Sequence, residues 1–216
     1  MDKNNNIGFV NLNNKAELAG RICSEIVANT AIDECVCLHF TVECPRISKI
    51  NDYINVLVPT EKAFNLSLSN GAFVRINGQF RSYNNSSGIG SRLILALFAD
   101  DIVLLDEKAY TESGQCNSVF LKGNICKPVI YRKTPLGREI SDILLAVSRS
   151  NYRSDYIPTI LWGVNAKASE LLEVGCKIEV SGRMQSREYT KSTDGGDVIR
   201  RAYEISASKF SNIYIS

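Results

Sequence analysis

Two stretches of this chain share one residue pattern: NKAELAGRIC at residues 14–23 and NSVFLKGNIC at residues 117–126. A shift of 103 residues aligns them, and the same shift carries the run DYI at 52–54 onto DYI at 155–157. Positions 14–54 give 9 identities in 41 aligned positions, where chance would give roughly two or three. At a shift of 104, Gly71, Gly78 and Ser82 meet Gly175, Gly182 and Ser186. The sequence therefore predicts two copies of one small domain, over residues 1–112 and 113–216.

Alternation of apolar and polar residues over 178–189 predicts a half-buried strand in the second copy. Ile178, Val180, Gly182 and Met184 fall on the inner face. The outer face carries the intervening residues Glu179, Ser181, Arg183, Gln185, Arg187 and Tyr189. The first copy shows the same alternation over residues 74–83.

The order of elements in each copy indicates a fold class. In the second copy, three strands precede a helical segment over residues 165–172 that stops at Gly175, and two strands follow it. This is the order of an OB-fold, whereas an SH3-like barrel would not place a helix between its third and fourth strands. We predict an all-β chain of two tandem OB-folds, five-stranded Greek-key barrels each with a short helix between strands 3 and 4. A short polar linker at residues 111–115 joins them.

Composition and charge limit the setting and the partners. Seven scattered cysteines do not suggest a disulfide framework, and no apolar run is long enough to cross a membrane, so we expect a reducing, cytoplasmic location. Residues 1–112 hold 10 Lys+Arg and 13 Asp+Glu, a net charge of −3, and residues 113–216 hold 15 and 10, a net charge of +5. Either the second copy attracts a polyanion, or charge has drifted freely between duplicated domains.

Signals for catalysis or cofactor binding are weak. His39 is the only histidine, and no phosphate-binding or dinucleotide-binding glycine motif precedes a helix. Cys35, Cys37 and His39 share a strand face, but next-nearest side chains on a strand lie about 7 Å apart, which is awkward for two thiolates on one zinc ion. We expect no metal, no cofactor and no enzymatic activity.

The second copy combines aromatic and basic residues on one predicted sheet face. Tyr156 and Trp162 have the same parity on strand 3, with Arg183, Arg187 and Tyr189 outward on strand 4. Bases can stack on such rings while the cations neutralise phosphates. The flanking loops add more cations, namely Arg132, Lys133, Arg138 and Lys191. The alternative is that these rings are core or interface aromatics, since aromatic residues are common in strands.

These residues give the second copy a family resemblance. The motifs are Asn117-x-x-x-Leu121-x-Gly123, DYIP at residues 155–158 running into LWG at 161–163, and GRMQSREY at residues 182–189. They resemble the bacterial single-stranded DNA-binding proteins. The resemblance implies that Tyr156, Trp162 and Tyr189 stack on bases, with Tyr152 as the nearest candidate for a fourth ring. It also implies four OB-folds per assembly, and therefore a homodimer of this chain.

The first copy resembles that family less closely. Tyr53 keeps the first stacking position, but Pro59 stands in the place of Trp162 and Tyr83 in the place of Arg187. Arg46 and Arg81 supply charge. We expect this copy to bind DNA weakly or to serve in assembly. The chain also ends in FSNIYIS at 210–216 rather than in the acidic tip that recruits replication and repair enzymes in the family, so that route to partners is not expected.

The leading hypothesis is sequence-independent binding and protection of single-stranded DNA in replication, recombination or repair. Base stacking would combine with phosphate neutralisation by Arg149, Arg183, Arg187 and the loop cations, and binding would weaken as salt rises. One alternative is a protein-interaction factor of a replication or primosome assembly. Another is a single-stranded RNA binder, because OB-folds accept either sugar.

Overall fold

The computed structural model describes residues 13–32, 35–85, 92–114, 116–149, 152–193 and 196–213. The first half contains β1 (Asn14–Ile22), β2 (Val27–Ile32), β3 (Cys35–Pro45), β4 (Asn51–Pro59), α1 (Thr60–Ala63), β5 (Phe73–Asn85) and β6 (Arg92–Leu105). Helix α2 (Glu107–Ser113) leads to the second half. That half contains β7 (Cys116–Ile125), β8 (Ile130–Lys133), β9 (Glu139–Ser148), β10 (Ser154–Trp162), α3 (Val164–Ser169), β11 (Lys177–Thr193) and β12 (Gly196–Asn212).

Each half closes into a five-stranded barrel. In the second half the order is β7–β11–β12–β10–β9, and the pairing of β9 with β7 completes the circle. Strands β10 and β12 are parallel, and the other neighbouring pairs are antiparallel. Strand β8 also pairs with β9, so β7 and β8 form one first strand interrupted at residues 126–129. The first half repeats this plan, which confirms the predicted tandem OB-folds.

The helices differ in detail from the sequence prediction. Helix α3 ends at Ser169, three residues before the predicted end at Leu172. The predicted polar linker at 111–115 overlaps α2, whose N-cap Asp106 accepts a hydrogen bond from the Ala109 amide at 2.6 Å. A satisfied cap of this kind lets a short polar segment form helix. No helix among the described residues is long and apolar enough to span a membrane.

The predicted alternation decides which side chains fill the second barrel. Ile157, Thr159 and Leu161 are buried along β10, and Ile178, Val180 and Met184 are buried along β11. Strand β7 approaches β9 closely at Gly123, where a Cβ atom would lie 2.6 Å from the Ala146 carbonyl oxygen. Only glycine allows the first strand to coil this tightly against the second.

The two barrels share one continuous sheet of twelve strands. Strands β1 and β7 pair antiparallel, with Ala16 opposite Val119, Asn14 opposite Leu121 and Leu18 opposite Asn117. The 103-residue shift relates Ala16 to Val119 and interchanges the other two pairs, so Ala16 and Val119 lie on a local pseudo-twofold axis. We call the contacts on either side of this axis the two seams. In the first seam β11 meets β4, and in the second β5 meets β10.

Candidate nucleic-acid interface

The outer face of the second barrel carries the predicted aromatic residues, on strands β10 and β11. Tyr156 is 47 % exposed, Trp162 is half-buried and Tyr189 is 39 % exposed. The Trp162 indole Nε1 donates a hydrogen bond to Ser206 Oγ at 3.0 Å, which holds one edge of this ring against the sheet. The Arg187 guanidinium lies 5.9 Å from the centre of the Tyr189 ring. Rings and a cation therefore share one surface, as stacking and phosphate binding both require.

Strand β12 is the middle strand of this face, and none of its residues was predicted from the sequence to belong to the site. It lies between β10 and β11, so about 9.5 Å separates the two strands that carry the rings. Arg200 is paired with Tyr189 in the sheet register, and Glu204 with Gln185. The alternation of β12 was visible in the sequence, but its place inside the sheet follows from the parallel β10–β12 pairing, which chain order does not reveal.

A carboxylate occupies the centre of this face. Glu204 is only 6 % exposed and accepts a hydrogen bond from Gln185 Nε2 at 3.0 Å. The Arg187 Nε atom lies 3.5 Å from the other Glu204 oxygen, while 58 % of the Arg187 side chain remains exposed. Glu204 therefore orients Arg187 and leaves its guanidinium accessible to a phosphate.

Arg149 lies in the second seam, not on the outer face. Its guanidinium contacts Asp155 at 2.6 and 2.9 Å, and the two side chains are only 7 % and 1 % exposed. It also donates to the Ser82 carbonyl oxygen of the first barrel at 2.6 Å. Asp155 in turn accepts from the Ser82 amide at 2.6 Å, and Ser82 Oγ accepts from the Tyr156 amide at 2.8 Å. The Arg149 guanidinium, predicted to neutralise phosphate, is therefore enclosed by protein partners in the second seam.

Arg46 holds the equivalent place in the first seam. It forms an ion pair with Asp52 and donates to the Ser186 carbonyl oxygen at 3.2 Å. Arg183 adds a second guanidinium to Asp52, at 2.6 Å. Burial and the nearby Arg46 charge lower the pKa of Arg183 from its usual value. The structure thus places Arg46 and Arg183 at the contact between barrels, where both side chains neutralise a buried carboxylate.

The identities of the repeat explain this arrangement. Arg46 and Asp52 align with Arg149 and Asp155, and Ser82 aligns with Ser186. Each set bonds across to the serine of the other barrel. Positions repeated in two copies that meet about a twofold axis are a signal for the interface, and this signal was available in the sequence.

Of the four cations predicted to lie in loops, Arg132 and Lys133 lie on β8 and Lys191 on β11, and only Arg138 lies between strands. Arg132 pairs with Asp142 at 2.7 Å, and Lys133 lies 3.6 Å from Glu139. Both pairs are substantially exposed, so their interaction is weak and a phosphate can compete for the cations. Arg138 and Lys191 are exposed. Tyr152 is fully exposed and has a left-handed backbone (φ 61°).

The first barrel presents a different outer face. Arg81 lies over the Phe98 ring at 4.4 Å, and Tyr83 packs with Phe98 around the buried cluster of Cys37, Leu57 and Ala96. Burial raises the pKa of Tyr83 to about 12. Tyr53 is partly covered, because the Arg201 guanidinium of the second barrel lies 4.6 Å from its ring centre. The predicted residues of this copy are therefore packed rather than displayed.

Comparison with known proteins identifies the second barrel. Residues 116–213 match the model of the single-strand binding protein family. The second barrel therefore resembles that family. The match covers the family domain from the start of β7 to the residue after β12. No curated protein matches the chain.

Solved structures show that the tandem arrangement also has precedent. The wild-type single-stranded DNA binding protein from Thermus aquaticus shares 17% identity at a TM-score of 0.74, covering 94% of this chain and 94% of that one. A deletion mutant of the same protein gives the same identity and TM-score, covering 94% and 95%. The dimeric N-terminal domain of PriB from Thermoanaerobacter tencongensis is 30% identical over 44% of this chain and 99% of its own, at a TM-score of 0.39.

These findings confirm two predictions made from the sequence. The chain has two OB-folds, as the similarity to the Thermus aquaticus structures indicates, and residues 116–213 match the single-strand binding protein family. The family assignment supports binding of single-stranded DNA in DNA metabolism.

Proposed function

We propose that this protein binds single-stranded DNA without sequence preference through the outer face of its second barrel. The observation that carries the proposal is the placement of Tyr156, Trp162 and Tyr189 on one exposed face of the domain that matches the family. Arg187 and Arg200 lie beside Tyr189 on this face. Arg138, Lys191 and the weakly paired Arg132 and Lys133 extend its positive charge.

Stacking explains both the affinity and the selectivity of such a surface. Each base on an aromatic ring contributes about 1–3 kcal/mol irrespective of its identity, since every base has a flat face. Paired bases hide those faces, so duplex DNA should compete poorly. Phosphate neutralisation releases counterions, and affinity should therefore fall as salt rises. The protein acts in this proposal by binding alone, in the cytoplasm, and without a cofactor.

The decisive experiment removes two rings while the protein is otherwise intact. Trp162→Ala combined with Tyr189→Ala is expected to weaken oligo(dT) binding at least about 30-fold, the loss of two stacking contacts. Fluorescence anisotropy at low and moderate salt measures the affinity, and circular dichroism checks the fold. Phe64→Ala, an exposed ring on the first barrel, is the matched control and should bind like the parent protein. Unchanged affinity of the double variant would refute the assigned surface.

Competition separates the alternatives. Unlabelled duplex DNA and single-stranded RNA should not displace oligo(dT) if the protein is a DNA-coating protein. Displacement by RNA at equal concentration would favour the RNA-binding alternative. Absence of any oligonucleotide binding at low salt would favour an accessory role through protein contacts.

We further propose that the barrels divide their work at a boundary near residues 112 and 113. The outer face of the first barrel carries Tyr83 and Phe98, which are partly buried and packed over the buried cluster of Cys37, Leu57 and Ala96, and an apolar face of this kind suits assembly better than phosphate binding. A homodimer with four barrels would use such a surface, and light scattering of the full chain tests this stoichiometry. A mass equal to one chain at micromolar concentration would contradict it.

A further inference from the structure

The first seam contains a groove lined by both barrels. Arg46, Asn51 and Tyr53 line it from the first barrel, and Ser186, Glu188 and Arg201 from the second. The wall from the second barrel is the β11–β12 hairpin, which extends beyond its own barrel and lies against β4. The groove therefore exists only where the two barrels are joined.

Arg201 is the centre of this groove. Its guanidinium lies 4.6 Å from the centre of the Tyr53 ring, and its Nη2 atom donates to Glu188 Oε1 at 2.7 Å. The Arg201 side chain is 30 % exposed and the Glu188 side chain 58 % exposed. The Arg201 Nε atom is buried without a hydrogen-bond partner among the described residues. The guanidinium is thus fixed by an aromatic ring on one side and neutralised by an exposed carboxylate on another.

The second seam lacks this cation. In the hairpin register Arg201 is opposite Glu188, and the equivalent position in the β5–β6 hairpin is Leu93. Leu93 is an exposed aliphatic residue, and Tyr156, the counterpart of Tyr53, remains 47 % exposed. Tyr53 and Tyr156 receive the same backbone support, from Ser186 and Ser82. Arg201 is therefore an addition specific to the first seam and not a requirement of the barrel contact.

We infer that this groove is a second binding site for the strand, in which Arg201 binds a backbone phosphate and Tyr53 is its platform. Glu188 is a competing anion that holds Arg201 in place until phosphate oxygens replace its carboxylate. When a guanidinium stacks on a ring, its N–H groups still point outward in the plane of the guanidinium. Phosphate oxygens can accept hydrogen bonds from them there. The inference rests on the proposed function and extends it, because Gln185 and Arg187 of the outer face of the second barrel also line this groove, so a strand bound to that face can continue into it.

The experiment alters the carboxylate and the cation separately in the full chain. Glu188→Gln should tighten oligo(dT) binding about two- to fivefold at low salt, because an exposed competing charge of this size is removed, and the gain should shrink as salt rises. Arg201→Gln should weaken binding and lower the salt slope by about one. In the Arg201→Gln background, Glu188→Gln should give little further gain. Glu173→Gln, which removes an exposed carboxylate preceding the other end of β11, is the control for overall charge.

The outcomes separate this inference from the proposed function. Equal gains from Glu188→Gln and Glu173→Gln would overturn the groove site, since net charge alone would explain them. Loss of binding in the Trp162→Ala, Tyr189→Ala variant with no effect of Arg201→Gln would leave the proposed function standing and remove the groove site. Oligo(dT) binding insensitive to all of these substitutions would overturn both.

Discussion

At the scale of single residues, the structure separates cations that bind protein from cations that can bind DNA. Arg149 and Asp155 form a buried ion pair in which both partners also bond to the Ser82 backbone. A buried carboxylate needs such a complete set of partners, because desolvation would otherwise outweigh the attraction. Arg187 has a looser partner at 3.5 Å and remains exposed. Arg187 therefore remains accessible to a ligand, whereas Arg149 is enclosed by protein.

Removal of the buried carboxylate should be costly. Asp155→Ala removes the buried carboxylate that bonds both Arg149 and the Ser82 amide, so the free energy of unfolding should fall by about 3–5 kcal/mol. Asp142→Ala breaks the exposed pair with Arg132 and should cost at most about 1 kcal/mol. Urea denaturation followed by circular dichroism measures both variants. Similar losses of stability in the Asp155 and Asp142 variants would show that the pair of Arg149 and Asp155 does not contribute as a buried ion pair.

Two thiols should be inert in the folded protein. Burial raises the pKa of both Cys37 and Cys44 to about 12. The thiolate is the nucleophile, and at pH 8 only about one thiol in ten thousand would be ionised. Iodoacetamide should therefore leave both unmodified in the native protein and modify them in urea, as read by mass spectrometry. Rapid native modification of either residue would contradict its buried placement.

The sequence allowed some of these residues to be placed and not others. Parity along β10 was enough to expose Tyr156 and bury Ile157, because that property belongs to the strand itself. The role of Arg149 depends on Ser82, which lies 67 positions away. The residues around Arg149 do not show that it contacts a residue so distant in the sequence. A basic residue near a predicted binding face can serve either DNA binding or the contact between barrels, and only the position of the other barrel distinguishes the two.

At the scale of elements, the first strand of each barrel is the most constrained piece of backbone. Strand β7 pairs with β11, contacts β9 at its end and joins β1 of the other barrel. The order of elements read from the sequence included this strand as the first of its barrel. It did not reveal the third neighbour, since an exposed edge and a shared edge have the same alternation of side chains.

Gly123→Ala tests that constraint. The added Cβ atom would meet the carbonyl of Ala146, and either β7 or β9 must shift. We expect a loss of about 1–3 kcal/mol of unfolding free energy, as for overpacked interiors. Ser118→Ala, at an exposed position of the same strand, should change stability by less than about 0.5 kcal/mol. Thermal and urea unfolding of the two variants provide the comparison, and equal stabilities would mean that the strands have room to separate.

At the scale of the whole molecule, the contact between the two barrels resembles the twofold contact of a homodimer, although the two barrels differ in sequence. The second barrel contains both members of the repeated part of this contact, since it carries Arg149 and Asp155 as well as Ser186. Copies of one half could therefore pair with each other as the two halves do, with Val119 opposite Val119 on the axis.

Residues 113–216 expressed alone should therefore form a homodimer through β7. The driving force is the exposed edge of β7 together with the unpaired seam groups, which a second copy satisfies. Light scattering coupled to gel filtration should give twice the mass of the fragment, with circular dichroism confirming its β structure. A folded monomer at micromolar concentration would show that the first barrel supplies something the second cannot replace.

Helix α2 has a consequence for dilute protein. By joining β6 to β7 it makes the seam contacts intramolecular, with an effective concentration that short connections typically raise to the order of millimolar. A non-covalent pair of barrels separates when its concentration falls below its dissociation constant. The two barrels of this chain are covalently joined, so dilution does not separate them. Even at a very low concentration the protein meets its ligand with both barrels together.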